Sequence, residues 1–202
     1  MSAPLIRADA LEKRYGTRAV LRDVSFGVEP GGVLVVTGPN GSGKTTLLRL
    51  LVGLAAPSRG SLEIAVDRRR IGFVGHESLV YRDLTALENL DLYGRLYRVG
   101  ERRERIGMLL ERFGLWEARR LRVSAYSRGM TQRLALCRAL LHQPELVVLD
   151  EPHSALDTEG AALLDEELTT LAAAGDHTLV VATHEPGRLA ALTTGRLALG
   201  VA

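Results

Sequence analysis

One eight-residue stretch constrains this chain more than any other: Gly38-Pro39-Asn40-Gly41-Ser42-Gly43-Lys44-Thr45, followed by Thr46. It satisfies the pattern G-x-x-x-x-G-K-[ST]. Just before it runs Val33-Leu34-Val35-Val36-Thr37, a continuous apolar segment of strand length, which marks a strand buried on both faces of a parallel sheet. Just after it, Leu47, Leu48, Leu50 and Leu51 recur at helical spacing. A glycine-rich turn between a buried strand and a helix is a phosphate cradle. Its glycines let backbone N–H groups curl around phosphate oxygens, and the helix N-terminus adds a favourable dipole. Lys44 supplies a point charge, and Thr45 a hydroxyl ligand for Mg2+. Lysine here is informative, because only two of the 26 basic residues are lysines, Lys13 and Lys44. The broad fork of an arginine would not suit the inside of so tight a loop.

The rest of the chain reads as strands and helices around that loop. Residues 5–29 alternate apolar and polar side chains, as half-buried antiparallel strands do. Pro57-Ser58-Arg59-Gly60 reads as a turn before a strand at 61–66, and Ile71–Gly75 as another strand. From about 77 to 142 the pattern is helical. Thr85 with Glu88 forms a possible capping box, and Ile106, Leu109, Leu110 and Phe113 make one apolar face. Strand 145–149, helix 158–173, strand 178–182, helix 186–192 and strand 195–199 follow. Strand–helix alternation predicts a parallel α/β sheet. The expectation is a single α/β domain over 1–202. Its core comes from 1–76 and 143–202, with an N-terminal antiparallel β subdomain and a helical insertion at 77–142.

Composition narrows the function classes. The longest apolar runs are strand-sized, far short of the twenty or so residues of a membrane span. The N-terminus lacks an apolar signal core, so export is not expected. A lone Cys137 excludes an internal disulfide framework and suits a reducing compartment. Its spacing with Leu134 and Leu141 predicts a core position, and Trp116 is expected to pack among the inserted helices. The net charge is +2, and the arginine clusters are interleaved with acids, so no nucleic-acid partner is expected.

Leu146-Val147-Val148-Leu149 is an apolar strand that ends in Asp150 and Glu151. Asp150 can hold Mg2+ through water, and Glu151 can polarise a water that attacks a γ-phosphate. The phosphate loop alone would also suit a small-molecule kinase. Paired acids about a hundred residues later point to ATP hydrolysis.

With these motifs in place, the chain resembles the nucleotide-binding subunit of an ABC transporter, a P-loop NTPase. The phosphate loop has that family's usual spelling. Ser127-Arg128-Gly129-Met130-Thr131-Gln132-Arg133 occupies the place of its signature, usually L-S-G-G-Q-x-Q-R. Asp150-Glu151-Pro152 matches its acidic motif, Ser154-Ala155-Leu156-Asp157 its D-loop, and His184 its switch histidine. Tyr15 lies where a family aromatic stacks on adenine. The resemblance implies a homodimer in which Ser127 and the N–H of Gly129 cap the γ-phosphate held by the opposite subunit. Asp157 is expected near that nucleotide. His184 is expected to bond the γ-phosphate and hold the attacking water. It further implies an integral-membrane permease partner, which the inserted helices would read, and a peripheral location on the cytoplasmic side of the membrane.

Two departures stand out. In the signature, Arg128 replaces a glycine and Met130 a glutamine, a form familiar among exporter ATPases. His76 stands where the family usually has a glutamine that touches Mg2+ and the attacking water. A histidine there titrates near physiological pH, so activity is expected to fall as His76 protonates. Gly75-His76-Glu77 followed by Leu84-Thr85-Ala86-Leu87-Glu88-Asn89-Leu90 resembles one subgroup, the haem-exporter ATP-binding subunit of cytochrome c maturation. A drug or lipid exporter subunit and a soluble ABC ATPase remain the alternatives.

Overall fold

The computed structural model describes residues 3–200; residues 1–2 and 201–202 of the expected domain span lie outside the described residues. Two sheets organise the chain. The first is antiparallel, in the order β2-β1-β4, from β1 (Ile6–Tyr15), β2 (Arg18–Val28) and β4 (Arg59–Ile64). The second is parallel and five-stranded, in the order β5-β6-β7-β3-β8. It is built from β3 (Val33–Thr37), β5 (Ile71–Val74), β6 (Leu146–Asp150), β7 (Thr178–Ala182) and β8 (Gly195–Ala198). Among the described residues five α-helices accompany them: α1 (Lys44–Leu51), α2 (Ala86–Leu96), α3 (Arg102–Arg112), α4 (Arg128–Leu140) and α5 (Thr158–Ala174).

The parallel strands are apolar on both faces because helices cover both. Val33, Val35, Val147, Leu149, Leu179 and Val181 join one core, shared with Leu134–Leu141 of α4 and its end and with Leu109 and Leu110 of α3. The alternate residues Leu34, Val36, Leu146, Val148, Val180 and Ala182 join the other, with Leu47, Leu48, Leu50 and Leu51 of α1. The two-residue period of a strand makes this division. A slip of one residue would exchange the two sets.

The expected α/β fold is observed, with antiparallel N-terminal strands and helices between β5 and β6. The capping box is present: Thr85 Oγ1 accepts from the Glu88 N–H, and the Glu88 carboxylate accepts from the Thr85 N–H. Cys137 is fully buried, and Trp116 packs against the α3–α4 core with the Arg119 guanidinium 3.9 Å over its ring. Two local expectations fail. Arg59 and Gly60 belong to β4 rather than to a turn, because Arg59 pairs with Glu12. Gly60 takes φ +77° where a Cβ would strike the Ala10 carbonyl, so it is an in-strand irregularity facing a kink in β1. The helix expected at 186–192 is only a single 3-10 turn, Pro186–Leu189. Among the described residues no helix is long and apolar enough to cross a membrane.

Candidate functional site

Four neighbouring strands deliver the site. In the order β5-β6-β7-β3, their C-terminal ends lead to His76, to Asp150 and Glu151, to His184, and to the phosphate loop. The crevice beyond the carboxyl ends of parallel strands is where such sheets bind ligands. Here it is a cleft of about 700 Å3, with Pro39, Asn40, Gly41, Gly43, Lys44, Thr45 and Thr46 on one wall. Arg18, Val20, His76, Asp150, Glu151, Ser154 and His184 complete the lining.

The loop owes its shape to two glycines. Gly38 has φ +146°, and a Cβ there would meet the Leu199 carbonyl; Gly43 has φ +102°, and its Cβ would lie 2.7 Å from Leu21 Cδ2. Neither conformation suits an L side chain. Gly43 is the residue from which α1 starts, so the first free N–H groups of that helix face the cleft. Lys44 is 7% exposed. Its Nζ donates to the Gly38 carbonyl at 2.7 Å and lies 3.6 Å from the Glu151 carboxylate.

Thr45 and Asp150 meet across the cleft floor: Thr45 Oγ1 donates to Asp150 Oδ2 at 2.7 Å. Burial pushes the Asp150 carboxyl above its ordinary range; the Thr45 bond pulls it back, and the neighbouring Glu151 pushes it up further. A buried carboxylate beside a hydroxyl suits a hard cation. Among the described residues no cluster of three His, Cys, Asp or Glu side chains could cage a metal alone.

Glu151 is set by strained backbone. Its φ is +49°, uncommon for a residue with a side chain. Its N–H still donates to the Ala182 carbonyl, which continues the β6–β7 ladder, and the Ser154 N–H donates back to the Glu151 carbonyl. The chain therefore turns sharply at the last ladder bond and aims the carboxylate into the cleft. There Glu151 Oε2 lies 2.7 Å from His184 Nδ1 and accepts from the His184 backbone N–H at 3.2 Å.

Several expected residues stand apart from this cleft. Ser42 lines a neighbouring pocket with Val20 and Leu21. Ser127 spends its hydroxyl as the N-cap of α4, accepting from Met130 N–H. Asp157 likewise caps α5, accepting from Gly160 N–H at 2.8 Å. A Cβ on Gly129 would lie 3.2 Å from the Ala155 carbonyl, so the start of α4 touches the segment after Pro152 rather than the phosphate loop. Tyr15 is 49% exposed and lies beneath Lys13 Nζ, 5.0 Å from its ring centroid. Its register partner Arg18 is the one that lines the cleft. The sequence reading missed Arg18 and Val20, which have no local signal; pairing of β2 with β1 places them there.

The decisive comparison is with family models: residues 21–154 match the one described as ABC transporter. The chain belongs to the ABC transporter family. This ABC protein is 38% identical over 191 residues to a daunorubicin resistance ATP-binding protein of Streptomyces coeruleorubidus, covering 89% of this chain and 60% of that one. It is 36% identical over 194 residues to Nod factor export ATP-binding protein I of Ralstonia nicotianae, covering 91% of this chain and 60% of that one. The chain thus spans less than two thirds of the length of either relative. Among solved structures it superposes on a dimeric ATP-binding cassette in a post-hydrolysis state bound to ADP and Pi. That match has a TM-score of 0.87 and 28% identity, covering 96% of this chain and 94% of the other. The ABC ATPase fold is therefore shared throughout.

Proposed function

We propose that this ABC protein is the ATP-binding and ATP-hydrolysing subunit of a transporter. It would act as a homodimer on the cytoplasmic face of a membrane, beneath a separate permease. The observation that carries the reading is the convergence of Lys44, the Thr45–Asp150 pair and the Glu151–His184 pair in one cleft at the strand ends. Mg2+ bound through Thr45 and Asp150, with His76 at hand, would neutralise phosphate charge. Lys44 and the N–H groups of the loop hold the β- and γ-phosphates. Glu151 orients the attacking water, and His184 fixes the Glu151 carboxylate. Catalysis is then positioning and electrostatic stabilisation of phosphoryl transfer.

The dimer supplies what one cleft lacks. Ser127 and Gly129 do not line the cleft of their own chain, and a partner would bring them to the nucleotide, with Asp157 nearby. Tyr15 is exposed and pairs with Arg18, which lines the cleft, and it is assigned to the adenine. The helices between residues 77 and 142 are assigned both to the permease and to the signature that caps the partner's nucleotide, and residues 1–76 and 143–202 to nucleotide binding within one chain. Similarity to a daunorubicin resistance and a Nod factor export protein supports export as the direction. A second reading, haem as cargo, rests on the Gly75-His76-Glu77 stretch. A haem-handling permease co-purifying from detergent-solubilised membranes would favour it, and ribosomes or DNA in its place would count against transport altogether.

Complementation tests the composite site. Lys44→Ala and Ser127→Arg should each abolish hydrolysis. Mixed, they form hybrid dimers with one intact site, and about a quarter of wild-type turnover should return. If the folded variants remain inactive on mixing while the wild type hydrolyses ATP, the two-chain site is wrong.

A further inference from the structure

Beyond the cleft, a chain of polar contacts leaves the site and returns to it. His153, two residues after Glu151, has a side chain only 9% exposed, and its Nε2 lies 2.8 Å from Asp165 Oδ1 on α5. The other Asp165 oxygen accepts from Arg188 Nη1 at 3.2 Å. Arg188 Nε donates to Glu185 Oε2 at 2.9 Å, and Glu185 Oε1 lies 3.5 Å from His184 Nε2. His184 closes the circuit on Glu151. Thus the turn after β6 and the loop after β7, which carry the two residues set against each other in the cleft, are also joined behind it through one carboxylate of α5.

We propose that His153, Asp165 and Arg188 are positioning residues that hold the His184 loop in register with the Glu151 turn. The inference deepens the proposed ATPase reading and rests on it for its catalytic consequence. The geometry asks for such a brace. Glu151 sits at a positive φ, a conformation that persists only where the surroundings fix it. The loop after β7 forms only one 3-10 turn, too little to fix His184 alone. Pro152 is held from the other side, its carbonyl accepting from Gln132 Nε2 at 3.3 Å. The segment 152–153 is therefore clasped between α4 and α5. The links are unequal. The His153 ring is nearly shielded from water, and the Asp165 carboxylate, 35% exposed, is shared between two elements. Arg188–Glu185 is exposed, and exposed pairs contribute little alone. Asp165 is accordingly the joint on which the brace depends.

Hydrogen–deuterium exchange reads the brace directly, and steady-state kinetics reads its consequence. In Asp165→Ala, amides 184–190 should exchange about two- to fivefold faster, the opening expected from the loss of one such contact. His153→Ala should do the same to this segment, to which its own ring gives no hydrogen bond. His153→Gln, whose amide can still donate to Asp165, should restore protection. In hydrolysis, Asp165→Ala and His153→Ala should lower kcat about three- to tenfold, with KM for ATP within about twofold of wild type. Unchanged exchange over 184–190 in both alanine variants overturns the brace, whether or not the wild type hydrolyses ATP. Faster exchange with unchanged kcat overturns its positioning role. A wild type without activity would sink the ATPase reading and leave the exchange result to decide the brace.

Discussion

The His142 ring makes a quantitative test of the fold that supports the site. His142 follows the end of α4. It stacks on Tyr97 with ring centroids 4.0 Å apart and planes 7° from parallel. Its Nε2 lies 3.3 Å from the Ile71 carbonyl, while Nδ1 is buried with no partner among the described residues. Burial pushes its pKa down to about 4; the Ile71 carbonyl resists that shift and Arg138 adds to it. The unfolded chain titrates near ~6.5. A depressed native value means that the unfolded chain takes up the proton first as pH falls. The stability is fully present above ~6.5 and is lost progressively as pH falls toward about 4. At pH ~5 the two values differ in free energy by roughly 2 kcal/mol, which solvent access to the ring reduces to about 1 kcal/mol. The assay is urea unfolding at about pH 7.5, above the unfolded value, and at about pH 5, between the unfolded and folded values, comparing wild type with His142→Phe. Phenylalanine keeps the stack on Tyr97 and cannot titrate. Losing the bond to Ile71 costs the variant stability equally at both pH values, so only the difference of differences matters. Wild type should lose about 1 kcal/mol more than the variant on acidification. Equal losses would refute the argument that this ring is held neutral.

Two further outcomes follow from particular contacts. Glu167 is 3% exposed and takes both of its bonds from Arg112 Nη1, at 2.8 and 3.1 Å. Arg112→Ala should therefore cost about 2 kcal/mol in urea unfolding by stranding a buried carboxylate, and Glu167→Leu added to it should recover part of the loss. Thr45→Ala should raise the Mg2+ concentration that half-saturates hydrolysis by roughly tenfold or more, with little change in thermal unfolding, because the Thr45–Asp150 pair is the cation seat proposed above.

What the sequence disclosed was local or repetitive. The phosphate loop, the acids after the Leu146–Leu149 run and the Thr85–Glu88 cap are contiguous patterns whose chemistry depends on neighbours in the chain, and each stands where expected. Fully apolar strand runs announced a parallel sheet, because only helices on both faces permit them. What escaped depended on partners far away. Gly60 has the local signature of a turn residue, and only its place opposite Ala10 of β1 makes it part of a strand. Arg18 gives no sign of lining the cleft, since β1–β2 register puts it there. The 186–192 stretch has helical spacing, but Pro186 and Gly187 limit it to one turn before Thr193 Oγ1 bonds the Leu189 carbonyl. The His153–Asp165–Arg188 contacts join three segments with no shared pattern.

Sheet topology also bears on why one chain should not complete the site. The apolar residues of α1, which opens from the phosphate loop, belong to the core on one face of the parallel sheet. Those of α4, whose N-terminus carries Ser127 and Gly129, belong to the core on the other. Each helix is anchored by side chains of alternate parity on the same strands, so neither can cross over without exchanging the two cores. Such an exchange would expose apolar side chains at roughly 25 cal/mol for each Å2, far beyond the marginal stability of a domain. Rigid-body adjustment within one chain is thus an expensive way to bring the start of α4 over the phosphate loop. The proposed two-fold axis between two copies would achieve it without disturbing either core, because each copy would then offer the other the segment it cannot offer itself. The division of strand side chains between two faces, a feature of packing alone, is in this way what favours a shared site.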